Sequence, residues 1–302
     1  MSEKLNDHKN VLSLDGGGVR TLAQVTFLKK LEETTGKTVF DLFDFFTGIS
    51  AGGINTLHIA LNKFTAIDLE NFWSKENFTL MLNKSFWNRR TFLSSKPIYD
   101  ENARTELLKN NFQKKLLTSS IKPVTMIAYD VEKRKPKILR SYEKSNITAL
   151  SAAKATSAAP LYYPTTQVED GSWLIDGVVV VSNPCLVAYN EARKFFKTDK
   201  IKIFSIGSGI NRKKIDGKLS TEWGPIGWLR NDILGIMLQS SLHDEILEDM
   251  IGNNYLRINS EIGEVNPLPD DHSEENLQKV RAMGDNWWNR FGEKFMKLLL
   301  EK

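Results

Sequence analysis

The sequence predicts an α/β fold, a central sheet flanked by helices, and three observations carry that expectation. Apolar runs at residues 11–14 and at about 43–47 each pass through a glycine-containing turn into a helical pattern, and a third buried run at residues 201–206 ends in Gly207, Ser208 and Gly209. Strand–turn–helix units repeated in this way build open sheets that bind ligands at the carboxyl ends of their strands. At 302 residues, with 41% hydrophobic and 26% charged residues, the chain fits one large globular domain and excludes disordered and collagen-like classes. The expected organisation is a polar tail (residues 1–10), a core (11–210) and a helical extension packed on that core (211–302). No internal repeat is present.

The first unit runs from Val11 to about Thr35. After the strand come Asp15, Gly16, Gly17, Gly18, Val19, Arg20 and Thr21, and then a helix with Leu22, Val25, Leu28 and Leu31 on its apolar stripe. A glycine-rich turn at a helix N-terminus presents bare backbone N–H groups to an anion. A triphosphate is disfavoured because the G-K-[ST] ending of a P-loop is absent. A dinucleotide fits weakly, since Gly16-x-Gly18-x-x-Thr21 lacks the third glycine. The oxyanion of an acyl-transfer intermediate remains.

The second unit, DLFDFFTGISAGGINTLHIAL (residues 41–61), has the strand, tight turn and helix of a nucleophile elbow, with Ser50 at the apex and Gly48 and Gly52 two positions to either side. Small residues are required there because the turn strains its backbone and packs closely against its neighbours. A G-x-S-x-G string by itself also fits an ordinary loop. If the two strands are parallel neighbours, Ser50 reaches the same sheet edge as the glycine turn.

Residues 67–93 are helical in tendency and carry Phe72, Trp73, Phe78, Phe86, Trp87 and Phe92, which suits a cover over one sheet face or the wall of an acyl-chain groove. An amphipathic helix follows at residues 104–117. Strands at 124–130 and 137–142 flank a basic turn, a solvated feature or an attraction for anionic headgroups. The small-residue helix at 147–159 suits close packing beneath a site. Trp173, Leu174 and Ile175 form a strand that ends in Asp176 and Gly177, and Ser182, Asn183 and Pro184 start a new helix. After the strand at 201–206, helices extend to a last amphipathic one at 277–302, rich in tryptophan and lysine. That helix either packs on the domain or lies on a membrane interface.

The single cysteine, Cys185, rules out an intramolecular disulfide and a cysteine-based zinc cluster. The polar N-terminus lacks a signal-peptide core and no apolar run approaches the ~20 residues of a membrane span, so a cytoplasmic protein with at most peripheral membrane contact is expected. A net charge of +4 spread along the chain does not call for a nucleic-acid polymer as partner.

A serine needs a base. Of the four histidines, His58 lies eight residues beyond Ser50 on the same helix, roughly 12 Å away, and His8 sits in the polar tail. His243 and His272 follow an acidic residue in the order of a Ser–acid–His triad, but each is flanked by acidic residues that read as solvent-exposed. The other candidate is Asp176, a carboxylate at the end of an apolar strand, where burial raises its proton affinity. An Asp-Gly pair is also an ordinary turn.

Taken together, these residues resemble the patatin-like phospholipases. The likeness rests on Asp15-Gly16-Gly17-Gly18-Val19-Arg20, Gly48-Ile49-Ser50-Ala51-Gly52-Gly53 and Asp176-Gly177, with Ala155-Thr156-Ser157-Ala158-Ala159-Pro160 and Ser205-Ile206-Gly207-Ser208-Gly209 in family order. It implies a three-layer fold related to the α/β-hydrolases, with a mostly parallel sheet and extra C-terminal helices. It also implies a Ser50–Asp176 dyad, oxyanion donors from Gly16, Gly17 and Gly18, and Arg20 orienting the turn or meeting phosphate. The implied reaction is hydrolysis of fatty acyl esters of membrane phospholipids, with no metal or cofactor. Thr21 and Val178 depart from the family pattern, which has glycine at the first position and glycine or alanine at the second; neither removes a reacting atom. Lone bacterial patatin domains of this size further resemble antiphage effectors switched on by a cyclic nucleotide; a homo-oligomer is one partner open to such a chain, and the sequence does not fix the oligomeric state. The competing functions are a non-catalytic phosphate- or nucleotide-binding module and a histidine-dependent esterase acting on small soluble esters.

Overall fold

The computed structural model describes residues 8–84, 96–231, 235–236 and 242–301. Phe86, Trp87 and Phe92 of the aromatic stretch, Leu234 and Met237 of the later helices, and most of the polar tail lie outside the described residues.

Eight strands form one sheet. β1 (Lys9–Leu14), β2 (Phe45–Ile49), β3 (Val124–Asp130), β7 (Ile201–Ile206) and β8 (Tyr255–Ile258) run parallel in the order β3-β2-β1-β7-β8. β4 (Lys135–Arg140), β5 (Thr166–Gln167) and β6 (Trp173–Asp176) add antiparallel pairings at the β3 end. Successive side chains of a strand point to opposite faces, and here both faces are covered. Leu12, Leu14, Phe46, Phe204 and Ile206 pack under α1 (Thr21–Thr35), α2 (Ser50–Asn62) and α9 (Glu274–Leu300). Val11, Phe45, Ile201 and Ile203 pack against α7 (Cys185–Phe196), with Cys185, Ala188 and Ala192 as its inward residues. That arrangement is the helix-flanked sheet that the strand–turn–helix units predict, in the three layers that the resemblance implies.

The closing helix α9 settles one of the open alternatives. Its apolar side is spent inside the molecule: Trp287 and Phe295 are buried, Phe27 of α1 meets Trp288 and Phe295 at 5.2 Å each, and Gly284 lets the two helices approach until an added Cβ would lie 2.6 Å from the Ala23 carbonyl. A helix buried on that face has no apolar stripe left for a membrane interface. The aromatic stretch likewise divides into α3 (Ala66–Phe72) and α4 (Lys75–Met81), which bury Phe72, Trp73 and Phe78, and the Trp73 indole N–H donates to Asn55 Oδ1 on α2.

The segment after residue 210 is not wholly helical. Tyr255–Ile258, read as helical from the sequence, is the edge strand β8 beside β7, placed after α8 (His243–Ile251). Four residues are too few for periodicity to separate a strand from a helix.

Candidate active site

Ser50 sits where the chain turns from β2 into α2, with φ 54°. A non-glycine residue in that left-handed region is strained and persists only when its surroundings hold it. The Ser50 N–H donates to Thr156 Oγ1 at 3.2 Å, and the Thr156 hydroxyl donates to the Ile127 carbonyl at 2.7 Å. Thr156 ends α6 (Ala149–Thr156), so the small-residue helix does lie against the elbow. Glycine is obligatory on both sides of the serine. A Cβ on Gly48 would fall 2.4 Å from the Gly52 carbonyl oxygen, and one on Gly52 would fall 2.4 Å from the Asp15 carbonyl oxygen.

The sheet register brings Asp176 to Ser50. β4 occupies one edge of β3 from Thr125 to Asp130. β2 and β6 therefore share the other edge: β2 covers Val124 to Ile127, and β6, running the opposite way, covers Asp130 to Ala128. The two strands meet end to end. Ile49 opposes Ile127, Asp176 opposes Ala128, and the residues that follow, Ser50 and Gly177, leave the sheet at the same place. A Cβ on Gly177 would lie 2.5 Å from the Ile127 carbonyl oxygen, so only glycine passes there.

The Asp176 carboxyl is fully buried. Burial pushes its pKa up to about 7, against the opposing pull of the Ser50 hydroxyl, the Val178 N–H and the Arg104 guanidinium. Oδ1 accepts from the Val178 N–H at 2.9 Å. Among the described residues Oδ2 has no hydrogen-bond partner, while the nearby Ser50 hydroxyl favours the charged carboxylate. Arg104, on α5 (Glu101–Phe112), is itself buried. It donates to the Lys154 carbonyl and to Ser157 Oγ at the end of α6, and lies 4.1 Å from the Tyr163 ring centroid.

The glycine turn leaves β1 beside the elbow. A Cβ on Gly16 would lie 3.1 Å from Ser50 Cβ, and one on Gly17 would lie 2.3 Å from Ser208 Cβ. The Gly16 N–H donates to the Ser182 carbonyl at 3.4 Å. Neither the Gly17 nor the Gly18 N–H has an acceptor among the described residues. Gly18 has φ 55°, and a Cβ there would come within 2.1 Å of the Pro269 carbonyl oxygen, which accepts the Val19 N–H at 2.9 Å. Arg20 is buried, and its Nη1 donates to the Pro267 carbonyl at 2.6 Å. It thus ties the turn to the loop before α9.

No histidine joins this group among the described residues. His58 is enclosed in α2, its ring 4.4 Å from those of both Phe64 and Phe112, and burial together with the Lys115 charge lowers its pKa to about 3. His243 approaches the Asn183 carbonyl and His272 the Asp270 carbonyl, each through Nδ1. Sequence reasoning gave Thr156 only as part of a supporting string, without its contact to Ser50, and missed Arg104. Arg104 left a trace, because it stands in register with Leu108 and Phe112 on the buried stripe of α5, where an arginine is unexpected.

The patatin-like phospholipase family model matches residues 12–189, which include the glycine turn, the elbow and Asp176. The chain belongs to the patatin-like phospholipase family. It is therefore a lipid acyl hydrolase by family. Patatin-like protein 1 of Arabidopsis thaliana is 26% identical over 91% of this chain and 80% of its own length. The cGAMP-activated phospholipase of Vibrio cholerae is 26% identical, covering 86% of this chain and 84% of that protein, and the one from Pseudomonas aeruginosa is 26% identical, covering 93% and 91%. Among solved structures, VipD from Legionella pneumophila superposes with a TM-score of 0.53 at 13% identity, over 97% of this chain and 67% of that one, a likeness of fold alone. None of the described helices is long and apolar enough to cross a membrane.

Proposed function

We propose that this patatin-like enzyme cleaves fatty acyl esters of membrane phospholipids through an acyl-enzyme on Ser50, with Asp176 as the only base. The observation that carries this reading is the end-to-end meeting of β2 and β6 on β3, which delivers a strained serine and a buried carboxylate with a spare oxygen to one point. Ser50 Oγ bonds to the ester carbonyl carbon while its proton passes to Asp176 Oδ2, and the carbonyl π-electrons move onto oxygen. The Gly17 and Gly18 N–H groups hold that oxyanion. Collapse breaks the bond to the lysolipid oxygen, which takes the proton from Asp176. Water then repeats the sequence and frees the fatty acid. A carboxylate with a pKa of about 7 is matched to both directions of this transfer near neutral pH.

Release of fatty acid from phospholipid vesicles, and labelling of Ser50 by a fluorophosphonate, test the mechanism together. Ser50→Ala is expected to lose both, with turnover down by ~10³-fold or more; undiminished release would overturn it. The enzyme contacts the bilayer peripherally, since its substrate resides there. The two cGAMP-activated relatives, matched along most of their length, support a cyclic nucleotide as the switch; an antiphage role and a homo-oligomeric assembly complete the proposal. Addition of cyclic di- and trinucleotides should raise vesicle hydrolysis or shift the sedimentation of the protein. A panel of such nucleotides without either effect would refute the switch while leaving the dyad standing.

A further inference from the structure

The first residue of the glycine turn is gripped from outside the segment that the family model matches. Asp15 is buried, and its two carboxylate oxygens accept from Nη1 and Nη2 of Arg257 at 2.8 and 2.5 Å. Arg257 lies on β8, one strand beyond β7, so its guanidinium must cross β7 to reach the end of β1. The sheet register explains how it does so. Ser13, Ser205 and Arg257 stand in one row across β1, β7 and β8, and side chains in such a row share a face. The two serines are small enough to leave the path open, and Ser205 Oγ accepts from Nη1 at 2.8 Å on the way. Behind the guanidinium, Nε faces Asp244 of α8 at 3.4 Å, and Asp244 in turn accepts from the Tyr255 hydroxyl and the Asn183 amide.

We infer that Arg257 is a positioning residue for acyl transfer: by clamping Asp15 it fixes the glycine turn so that the Gly17 and Gly18 N–H groups stay aimed at the oxyanion. The inference rests on the reading of those two groups as the oxyanion donors. Asp15 is the hinge between the two halves of the site. Its carbonyl oxygen is the atom that forbids a side chain on Gly52 of the elbow, and the same oxygen accepts from Gln24 Nε2 at 2.9 Å. A buried carboxylate without its cation is costly and takes up a proton instead. Removing Arg257 therefore removes both the anchor and the charge that holds it, two residues before the first donor. A two-pronged guanidinium fixes direction as well as distance, which an ammonium cannot do.

The test uses the full chain and a soluble p-nitrophenyl ester, so that kcat and KM are read apart from membrane binding. Arg257→Gln is expected to lower kcat by about 100-fold, as loss of an oxyanion donor does, with KM within about threefold of wild type. Arg257→Lys, which keeps charge but not the fork, should recover part of that loss. Asp15→Asn combined with Arg257→Gln should cost little more than either alone, because both break one unit. Arg140→Gln, which breaks an Arg140–Glu191 pair between β4 and α7, is the control: it lowers the melting temperature and leaves kcat unchanged. A folded Arg257→Gln protein with wild-type kcat would overturn the inference. Where that variant does not fold, a wild-type kcat in Arg257→Lys overturns it. A wild type with neither turnover nor fluorophosphonate labelling would sink the catalytic reading and this inference with it, whereas an active wild type with an indifferent Arg257 sinks the inference alone.

Discussion

Asp176→Asn separates catalysis from stability in opposite directions. The carboxyl is fully buried and burial lifts its pKa from the ordinary 3.8 to about 7. Because the folded-state value is the higher one, the folded protein binds this proton more tightly than the unfolded chain does. The contribution to stability is complete below pH 3.8, declines as the pH rises, and is lost above about 7. At about 1.4 kcal/mol for each pKa unit, the interval corresponds to about 4 kcal/mol of destabilisation at pH 8, an upper bound. Asparagine fits the same shape, keeps a carbonyl oxygen for the Val178 N–H, and carries no charge to bury. Urea unfolding at pH 8 should therefore show the variant to be more stable than wild type by about 2–4 kcal/mol, with the gap closing toward pH 4. Esterase activity should fall by ~10³-fold or more, since no other base stands beside Ser50 among the described residues. A variant that is less stable than wild type at pH 8, or whose advantage is the same at pH 4 and pH 8, would refute the claim that Asp176 is held as a strained, ionised base. The same ionisation should govern kcat/KM, which is expected to fall as pH drops below about 7.

Three further substitutions probe the frame around the dyad. Gly18→Ala places a Cβ at φ 55° and 2.1 Å from the Pro269 carbonyl oxygen, so the turn must move; a loss of ~100-fold or more in kcat is expected, with a stability cost of about 1–2 kcal/mol, read by steady-state kinetics and thermal melting. Thr156→Val keeps the volume but strips the acceptor of the Ser50 N–H and the donor to Ile127. It should cost about 1–3 kcal/mol in urea unfolding and slow fluorophosphonate labelling of Ser50. His58→Leu should leave kcat unchanged, which a histidine-dependent esterase built on that residue would not. Burial and Lys115 hold the His58 pKa at about 3 against an ordinary 6.5. The stability of the neutral ring is present above 6.5 and declines as pH falls, so the leucine variant should gain about 2 kcal/mol over wild type at pH 5.

The sequence announced the two halves of the site that lie on parallel strands. β1 and β2 each run as a short apolar strand into a glycine turn and a helix, and the expectation that they are neighbours holds: Leu14 opposes Gly48, which is why the turn and the elbow emerge together. Asp176 was legible as a residue and illegible as a partner. Its strand has four residues and runs antiparallel to β3, and nothing local states that it abuts β2 on a shared edge; the one sign is Gly177, required where the chain crosses the Ile127 carbonyl. The histidines were separable by the same logic, since His58 is distant on the helix that carries Ser50 and is walled in by Phe64 and Phe112.

Arg257 shows the limit of reading motifs one at a time. In the sequence it is a basic residue in a short apolar run, with no spacing that links it to a turn 242 positions earlier. Only the register places Ser13, Ser205 and Arg257 in one row and turns two unremarkable serines into the clearance for a guanidinium. The consequence reaches beyond one ion pair. The oxyanion turn is held from three points beyond residue 210: Arg257 on Asp15, Pro269 on Val19 and Pro267 on Arg20. A binding event that shifted β8 or the loop before α9 would act on the turn that carries the Gly17 and Gly18 N–H groups, through contacts of 2.5 to 2.9 Å. On the proposed reading of Gly17 and Gly18 as oxyanion donors, the segment after residue 210 belongs to the catalytic apparatus, and the elbow and the strand of Asp176 supply only the half of it that the motifs disclose.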